Sequence, residues 1–319
     1  MSTVNRRKFL ALAGAAGASG AWGQATAIHL GKPSPTATAD QGPKDFDFLF
    51  FTDTHIQPEL NAAQGCDMAF RRMRTIPVEF AIQGGDHIFD ALAVPKARSL
   101  SLFDLYDKTQ QDLGLKVYHT IGNHDVVGVL PASGMGLSDP LYGKRYFEEH
   151  MGNTYQSFDR SGVHFIILDS IGITADRSYE GRVDAAQLAW LANDLKAVPA
   201  GKPVIIVSHI PLVTAINQYL PEVKTPPAHN GMTVTNSADV IKLFAGHNVI
   251  GVLQGHTHVN ERVEWHGVPY LTGGAVCGNW WKGTRLGIPE GFTVVSIRGG
   301  KLTTRYETYG FKSVAPDNT

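Results

Sequence analysis

Short apolar runs recur along the chain, and each gives way to glycine, proline or polar residues. Continuous runs bounded in this way are typical of strands that are buried on both faces. The runs that predict strands are Phe46 to Thr52, Val78 to Gln83, Leu115 to Ile121, Pro203 to Val207 and Val249 to Leu253. Helical spacing between them predicts helices over Ala62 to Met73, Pro95 to Leu113 and Val183 to Ala197, with another ending at Phe244. Strands that alternate with helices indicate an α/β fold.

A second pattern, of strand pairs joined by turn residues, lies in the middle and at the end of the chain. The turn sequence Asp159-Arg160-Ser161-Gly162 separates two strand-like segments and predicts a hairpin. Two more hairpins are predicted at about residues 261 to 272 and 292 to 309, the second turning at Gly299-Gly300. We therefore expect antiparallel pairs in addition to the strand and helix alternation.

Chemically active side chains cluster directly after five of the predicted strands. The clusters are Asp53-Thr54-His55, Gly84-Gly85-Asp86-His87, Gly122-Asn123-His124-Asp125, Ser208-His209-Ile210-Pro211 and Gly255-His256-Thr257-His258. Each begins where a strand gives way to a loop, which is where α/β sheets collect ligands. We therefore expect these side chains to share one site.

The pooled side chains suit metal ions. They are Asp53, His55, Asp86, Asn123, His209, His256 and His258. One ion rarely needs so many protein ligands, whereas two ions that share a carboxylate do, as in sites for in-line displacement at phosphorus. The set has no thiolate, which argues against a closed structural zinc site. Imidazole together with carboxylate suits Mn, Fe or Zn with positions left open for water.

In this order the five clusters resemble the motifs of the calcineurin-like metallophosphoesterases, and the resemblance spans about residues 47 to 260. It implies a four-layer α-β-β-α sandwich of two mixed sheets flanked by helices, with a dinuclear metal site at the strand-end loops. By the resemblance, one metal takes Asp53, His55, Asp86 and His258, and the other takes Asp86, Asn123, His209 and His256, so that Asp86 bridges them. It also implies that His124 is a catalytic histidine without a metal and that Asp125 orients it.

The function implied by the resemblance is phosphoester hydrolysis by a metal-bound hydroxide. Phe89 stands where purple acid phosphatases have a tyrosine, and His55 is present where they lack it, so that subclass is not expected. Asp90 fits the Gly-Asp-x-x-x-Asp form of the cyclic-nucleotide phosphodiesterase-like branch, which favours phosphodiesters such as cyclic nucleotides or glycerophosphodiesters. Two alternatives stay open: a broad-specificity phosphomonoesterase, and a non-catalytic metal-binding scaffold, although no ligand of the pattern is lost.

Some residues near the motifs are candidates for substrate contacts. His87 follows the bridging carboxylate, where it either supports the ligands from behind or faces the substrate, and His229 lies in a Pro- and Thr-rich loop after His209. Trp280 and Trp281 are adjacent, so on a strand they cannot both point inward, and one of them is a candidate for the pocket wall. The segment from Val127 to Asp139 is a substrate loop or a plain connection. Cys66 and Cys277 are expected to be small apolar residues, with a disulfide left open.

The first residues are expected to be an export signal. Arg6 and Arg7 precede an Ala/Gly-rich run without acidic residues, which resembles a twin-arginine signal peptide over residues 1–27, with a disordered basic tail as the alternative. Residues 28–44 read as a linker, 45–312 as the metallophosphoesterase domain with its C-terminal hairpins, and 313–319 as a tail. The twin-arginine export machinery is then a partner of the precursor, and the mature protein is expected to be periplasmic or extracellular.

Composition narrows the range of partners. With 319 residues, 43% hydrophobic and 18% charged, the chain can bury a large core. Its formal net charge is −1, so there is no basic field to attract a nucleic acid polymer or an anionic membrane. After the signal, no run is long and apolar enough for stable membrane insertion. The expected partner is a small-molecule phosphoester, attracted locally by two divalent or trivalent metal ions.

Overall fold

The computed structural model describes residues 42–220 and 229–317, so the predicted signal peptide and most of the predicted linker lie outside the described residues. The strands are β1 (Phe46–Phe51), β2 (Ala81–Gln83), β3 (Val117–His119), β4 (Gln156–Arg160), β5 (Val163–Leu168), β6 (Ile171–Ile173), β7 (Tyr179–Gly181), β8 (Pro203–Ser208), β9 (Asn248–Gln254), β10 (Glu261–Trp265), β11 (Val268–Thr272), β12 (Gly291–Arg298) and β13 (Lys301–Thr308). The helices are α1 (Ala62–Arg74), α2 (Lys96–Gln110), α3 (Arg145–His150), α4 (Ala185–Ala197), α5 (Ile216–Tyr219) and α6 (Ser237–Lys242).

Two mixed sheets form the centre of the fold. The first has the order β13-β12-β1-β2-β3, in which β1, β2 and β3 are parallel and β12 and β13 are antiparallel to their neighbours. The second has the order β10-β11-β9-β8-β5-β4, with four parallel central strands and an antiparallel strand at each edge. The strands β6 and β7 pair separately.

Alternation along β1 shows why the sheets stack. Phe46, Phe48 and Phe50 join one apolar cluster with side chains from both sheets, including Phe165 of β5. The Phe48 ring stacks on Phe80 with centroids 5.0 Å apart. The other face of β1 packs in a second cluster with residues of α1 and α2. A third cluster joins β5 and β8 to α4 and α6. The order of layers is therefore helix, sheet, sheet, helix.

The predicted four-layer α/β fold is confirmed, with small shifts at the ends of elements. The helix expected over Pro95 to Leu113 is α2 followed by a 3₁₀ turn at Gln111–Leu113, and both C-terminal hairpins are present. None of the helices in residues 42–220 and 229–317 is long and apolar enough to cross a membrane.

The carboxyl ends of β1, β2 and β3 in one sheet and of β8 and β9 in the other carry the five polar clusters. Strands within each of these sets run parallel, so their ends meet at the same edge. Backbone hydrogen bonds then tie the loops together, from Asp53 N to Gly85 O at 2.9 Å and from Gly255 N to His209 O at 3.0 Å. Sheet topology therefore gathers residues that are up to two hundred positions apart.

Candidate metal centre

The backbone at the strand ends is strained where the expected ligands lie. The residues with positive φ include Asp53 (55°), His55 (38°), Asp86 (56°), His256 (74°) and His258 (60°). For residues with a side chain this region costs about 1–3 kcal/mol each, and it persists where the surroundings enforce it. At Gly122 the backbone runs so close to Asp86 that a Cβ would overlap the backbone and carboxylate of Asp86. The fold thus forces these side chains toward one point.

One group of atoms converges around His55. Its Nε2 lies 3.2 Å from Nε2 of His258, 3.4 Å from Oδ2 of Asp86 and 3.8 Å from Oδ1 of Asp53. Nε2 of His258 is in turn 3.3 Å from Oδ1 of Asp53. All four side chains are almost completely buried. These four residues are the set that the family resemblance assigns to one metal.

A second group converges on the other side of Asp86. Nε2 of His209 lies 3.1 Å from Oδ2 of Asp86 and 3.2 Å from Oδ1 of Asn123. Within the described part of the chain, Nε2 of His256 and Nδ2 of Asn123 are buried without a hydrogen-bond partner. Carboxylate oxygen and imidazole nitrogens of Asp86, His209 and His256 lie within 4.8 Å of one another. Asp86 belongs to both groups, which is the geometry of a bridging ligand.

Hydrogen bonds behind the rings leave ligand lone pairs facing the centre. Nδ1 of His209 donates to the Gly84 carbonyl at 2.8 Å, and Nδ1 of His258 donates to the Gly278 carbonyl at 2.7 Å. A carbonyl can only accept, so each ring carries its proton on Nδ1 and can offer Nε2 to a metal. Burial, helped by the nearby His209 ring, lowers the pKa of His256 to about 3, which keeps that ring neutral. The residues therefore fit metal ions.

The carboxylates make the centre attractive to positive charge. Burial opposes ionisation of Asp53, yet His258 and His55 hold its pKa well below its usual range. Burial also opposes protonation of His209, but Asp86 and Asp53 raise its pKa to about 9. A buried site that favours a proton this strongly also favours a metal cation at the same atoms.

His124 lies at the edge of the centre, with its side chain 22% exposed. Its ring Nδ1 is 3.2 Å from Oδ1 of Asp90, and its backbone N donates to Oδ1 of Asp86 at 2.8 Å. Burial lowers the pKa of His124, but the carboxylates of Asp86 and Asp90 outweigh that effect and leave it raised. The ring is thus held by a carboxylate on one side and faces solvent on the other.

The expectation that Asp125 orients His124 is corrected by these contacts. The Asp125 carboxylate accepts the backbone N–H groups of Asp86 at 3.0 Å, His87 at 2.8 Å and Gly122 at 2.9 Å. It also bonds Nδ1 of the His87 ring at 2.8 Å. Asp125 follows His124 in a 3₁₀ turn, and the turn aims the two side chains in different directions. Asp125 therefore supports the loop of the bridging ligand, and Asp90 is the partner of His124.

Two of the histidines suggested as substrate contacts are occupied elsewhere. His87 is fully buried, with Nδ1 on Asp125 and Nε2 2.9 Å from Nδ1 of His119, so it cannot face a substrate. The substrate-facing interpretation of His87 is wrong because the turn at Asp86 sends its ring inward, and its bond to Asp125 fits the other interpretation, a support behind the ligands. Nε2 of His229 lies 2.9 Å from Asp176, and His229 does not line the pocket described below.

The adjacent tryptophans take opposite roles. Trp281 is fully buried: its Nε1 donates to the His55 carbonyl at 3.0 Å and its ring packs on Phe311. The prediction of a substrate contact is therefore wrong for Trp281. Trp280 is half-buried and its ring centroid lies 3.9 Å from that of His55 and 5.0 Å from that of His124. Trp280 is the member of the pair that reaches the site.

The cysteines are both buried free thiols. Sγ of Cys277 lies 3.6 Å from Nδ1 of His258, behind the ring and beside its bond to the Gly278 carbonyl. Burial raises the pKa of Cys277 well above its ordinary value, so the group stays a neutral thiol. It packs behind a ligand as a small apolar residue.

A pocket of about 560 Å³ opens beside His124. It is lined by Gln57, Glu59, Leu60, Phe89, Asp90, His124, Asn279, Trp280, Lys282 and Asp317. Sequence reasoning missed the wall residues Gln57, Leu60 and Asn279, although Gln57 follows the first motif by only two positions. The predicted 313–319 tail also contributes, because Asn279 Nδ2 donates to the Asp317 carbonyl at 2.7 Å. The segment from Val127 to Asp139 does not line this pocket.

Known proteins resemble this chain in sequence and in fold. The model of the calcineurin-like phosphoesterase family matches residues 46–260. Over 116 residues, 36% of this chain, the sequence is 26% identical to a cAMP/cGMP dual specificity phosphodiesterase of Mycobacterium tuberculosis, and the match spans 32% of that relative's length. A dimetal phosphatase from Danio rerio has a similar structure, with TM-score 0.62 and 15% identity over 83% of this chain and 96% of that one. The structure of PhoD gives TM-score 0.54 and 13% identity over 90% and 74%.

The likeness to solved structures shows the fold, and the family match shows the ancestry. All five ligand clusters fall inside the matched range, and the described geometry gathers them into two groups that share Asp86. Family and fold imply a dinuclear metal site there. The chain therefore belongs to the calcineurin-like phosphoesterase family and is a metal-dependent phosphoesterase.

Proposed function

We propose that the protein hydrolyses phosphodiesters of small organic alcohols. The observation that carries this proposal is the charge of the pocket beside His124. Among the described residues that line it, Lys282 is the single lysine or arginine, whereas Glu59, Asp90 and Asp317 are acidic. A phosphomonoester is close to a dianion at neutral pH, because its second pKa is about 6. A diester is a monoanion, so this pocket disfavours it less.

The ligands would hold two metal ions, one at Asp53, His55 and His258 and one at Asn123, His209 and His256, with Asp86 shared. Such ions lower the pKa of water and neutralise charge on phosphate oxygens. The residues themselves fix the positions: the backbone turns and the Nδ1 hydrogen bonds of His209 and His258 prevent the rings from rotating. A pre-organised set of ligands needs little rearrangement during the reaction.

His124 is placed to serve the leaving oxygen. It binds Asp90 through Nδ1, so Nε2 is the nitrogen that can give a proton to an alkoxide. Burial alone would lower the pKa of His124, but the carboxylates of Asp86 and Asp90 raise it, so the surroundings favour the protonated ring. With Trp280 and Phe89 close by, the solvent-facing side of this proton donor opens into the aromatic pocket.

The curated relative from Mycobacterium tuberculosis, named a cAMP/cGMP phosphodiesterase, supports a diester substrate. Cyclic nucleotides and glycerophosphodiesters are therefore the substrates to test first. The test compares kcat/KM for bis-aryl and mono-aryl phosphates with the same leaving group. We expect the diester to be preferred about tenfold or more, and preference for the monoester would favour the broad-specificity phosphomonoesterase instead.

A metal-binding scaffold without activity is the competing class. Turnover of an activated aryl phosphate that disappears with a chelator and returns with added Mn²⁺ contradicts the scaffold. The donor set of carboxylate, amide and imidazole supports Mn, Fe or Zn, and comparing reactivation by each ion identifies the one that works best.

We also propose export by the twin-arginine route to the periplasm or the exterior. The support is the sequence alone: paired Arg6 and Arg7 before an uninterrupted Ala/Gly-rich run. Replacing both arginines with lysine should leave the precursor in the cytoplasm while the folded protein stays active. Cell fractionation measures this, and undiminished export of the double variant contradicts the proposal.

A further inference from the structure

The pocket beside His124 is large enough for an organic group. Its volume of about 560 Å³ falls in the ~300–1,000 Å³ range of small-molecule sites. None of the seven expected metal ligands lines it, so its walls contact the group attached to the phosphate, and their negative charge acts on the phosphate only from a distance. If His124 protonates the leaving oxygen, the group attached to that oxygen occupies this space. This step rests on the proposed function.

Two aromatic rings form adjoining walls of the pocket. Phe89 and Trp280 have centroids 5.6 Å apart and planes inclined by 77°. A flat group that stacks on one ring therefore presents its edge to the face of the other, and both geometries are favourable for aromatic pairs. Both residues are half-buried, so each keeps one surface open to the pocket. The walls suit a planar aromatic group.

Trp280 is held in place before any ligand arrives. It has φ of 54° and Trp281 has φ of 68°, two consecutive bulky residues in the left-handed region. The buried Trp281 ring and its bond to the His55 carbonyl fix this turn from below. From above, the hydroxyl of Ser313 donates to the Trp281 carbonyl at 2.7 Å. Conformational strain kept by such anchors is typical of binding sites.

Gln57 supplies a polar group at the wall of the pocket. Its residue is only 4% exposed and lines the pocket. Its amide is not among the buried polar groups that lack a partner in residues 42–220 and 229–317, so an amide with no partner in the protein reaches the open space of the pocket. There it offers both a donor and an acceptor to a ligand. A glutamine amide pairs in two-point fashion with the edge of a nucleobase, which offers a donor beside an acceptor.

We propose that Gln57, Phe89 and Trp280 form a nucleobase subsite on the leaving-alcohol side of the scissile bond. The rings bind the faces of the base and the Gln57 amide reads its edge. A glycerol-derived alcohol has neither a flat face nor such an edge, so it gains nothing from these three residues. The protein therefore prefers phosphodiesters whose leaving alcohol belongs to a nucleoside.

The first test measures binding without turnover. Adenosine and guanosine, which carry no phosphate, are titrated into the metal-loaded protein by calorimetry, with glycerol as the comparison ligand. We expect the nucleosides to bind and glycerol not to bind. Gln57→Leu and Trp280→Leu should each weaken nucleoside binding about tenfold or more, the usual range for a lost stacking partner or buried hydrogen bonds. Gln218→Leu, at an exposed glutamine of α5 that does not line the pocket, is the matched control and should change binding less than twofold.

The second test follows kcat/KM of each variant for cyclic AMP and for glycerophosphocholine, each relative to the parent. A loss of about tenfold for cyclic AMP with less than twofold for the glycerol diester supports the subsite. Equal losses for both substrates overturn it and make Trp280 a support for the His55 ring. If the parent hydrolyses no diester, the proposed function fails, and nucleoside binding still decides the subsite: no binding by the parent overturns it.

Discussion

The two sides of the active site are built differently. On the metal side, buried ligands follow parallel strands, and hydrogen bonds between neighbouring loops hold each turn. On the pocket side, residues that range from buried to exposed come from the loops after β1, β2 and β3, from the segment before β12 and from the end of the chain. The metal side depends on sheet topology, whereas the pocket side depends on how loops pack on one another. Substitutions in the pocket can therefore change substrate preference while the metal ligands stay the same.

The largest expected effect comes from the bridging carboxylate. Asp86→Asn removes charge from both groups of ligands, so we expect loss of both metals and a fall in kcat of about a thousandfold or more, ~4 kcal/mol in the barrier. His55→Ala should chiefly remove one ion. Elemental analysis of the purified variants measures this, and loss of the same single ion from both would contradict the bridge.

Nucleoside binding sharpens this first comparison. If the sides are independent, Asp86→Asn should still bind adenosine within about threefold of the parent, because Gln57, Phe89 and Trp280 do not contact its carboxylate. Complete loss of nucleoside binding in this variant would show that the pocket forms only around the metals.

The next largest effect is expected on stability, from Asp125, whose carboxylate supports the loop of the bridging ligand. Asp125→Ala leaves the buried N–H groups of Asp86, His87 and Gly122 without their acceptor. At about 1–3 kcal/mol for each unsatisfied donor, partly relieved by water, we expect a loss of about 3 kcal/mol in the free energy of unfolding. Chemical denaturation measures it. A loss below about 1 kcal/mol would mean that the carboxylate is not holding the loop.

A smaller effect is expected at the boundary between the sides. Asp90→Asn weakens the contact that holds the His124 ring. His124→Asn removes the proton donor itself, so this variant should lower kcat by about a hundredfold with the metals retained. The loss should be smaller for nitrophenyl esters, whose leaving group needs no proton, than for alkyl esters. If kcat of the His124→Asn variant depends on the pKa of the leaving group in the same way as kcat of the parent, His124 is not the general acid.

The smallest expected effect tests the pocket side alone. A Cβ on Gly65 would overlap the Trp281 ring, so Gly65→Ala should displace that anchor and cost about 2 kcal/mol of stability. Nucleoside binding should weaken while metal content stays the same. Gly136→Ala, where the nearest atom is 4.0 Å away, is the matched control. Equal behaviour of the two variants in thermal melting and calorimetry would contradict the role of Trp281.

Sequence predicted the metal side far better than the pocket. Each ligand follows a recognisable apolar strand, so local pattern and the order of motifs are enough to gather Asp53, Asp86 and His256. The partner of His124 was misassigned, because adjacency favoured Asp125 and only the turn geometry brings in Asp90. Gln57 could not be found, since its role depends on a pocket whose aromatic walls, Phe89 and Trp280, lie more than thirty residues away.

The tryptophan pair shows the same limit in another way. Alternation on a strand predicted that one ring would point inward, but Trp280 and Trp281 lie in a left-handed turn rather than a strand. Choosing between them requires the contacts of Trp281 with Gly65 and Phe311, which come from a helix and from the end of the chain. Long-range packing of this kind leaves no local pattern.

Anomalous diffraction from crystals of the Mn²⁺-loaded protein tests the central claim most directly. The account predicts two metal peaks per chain, roughly 3.5–4 Å apart as in other two-metal sites, with the Asp86 carboxylate between them and His124 bound to neither. A single peak, or two peaks that do not share Asp86, would contradict it.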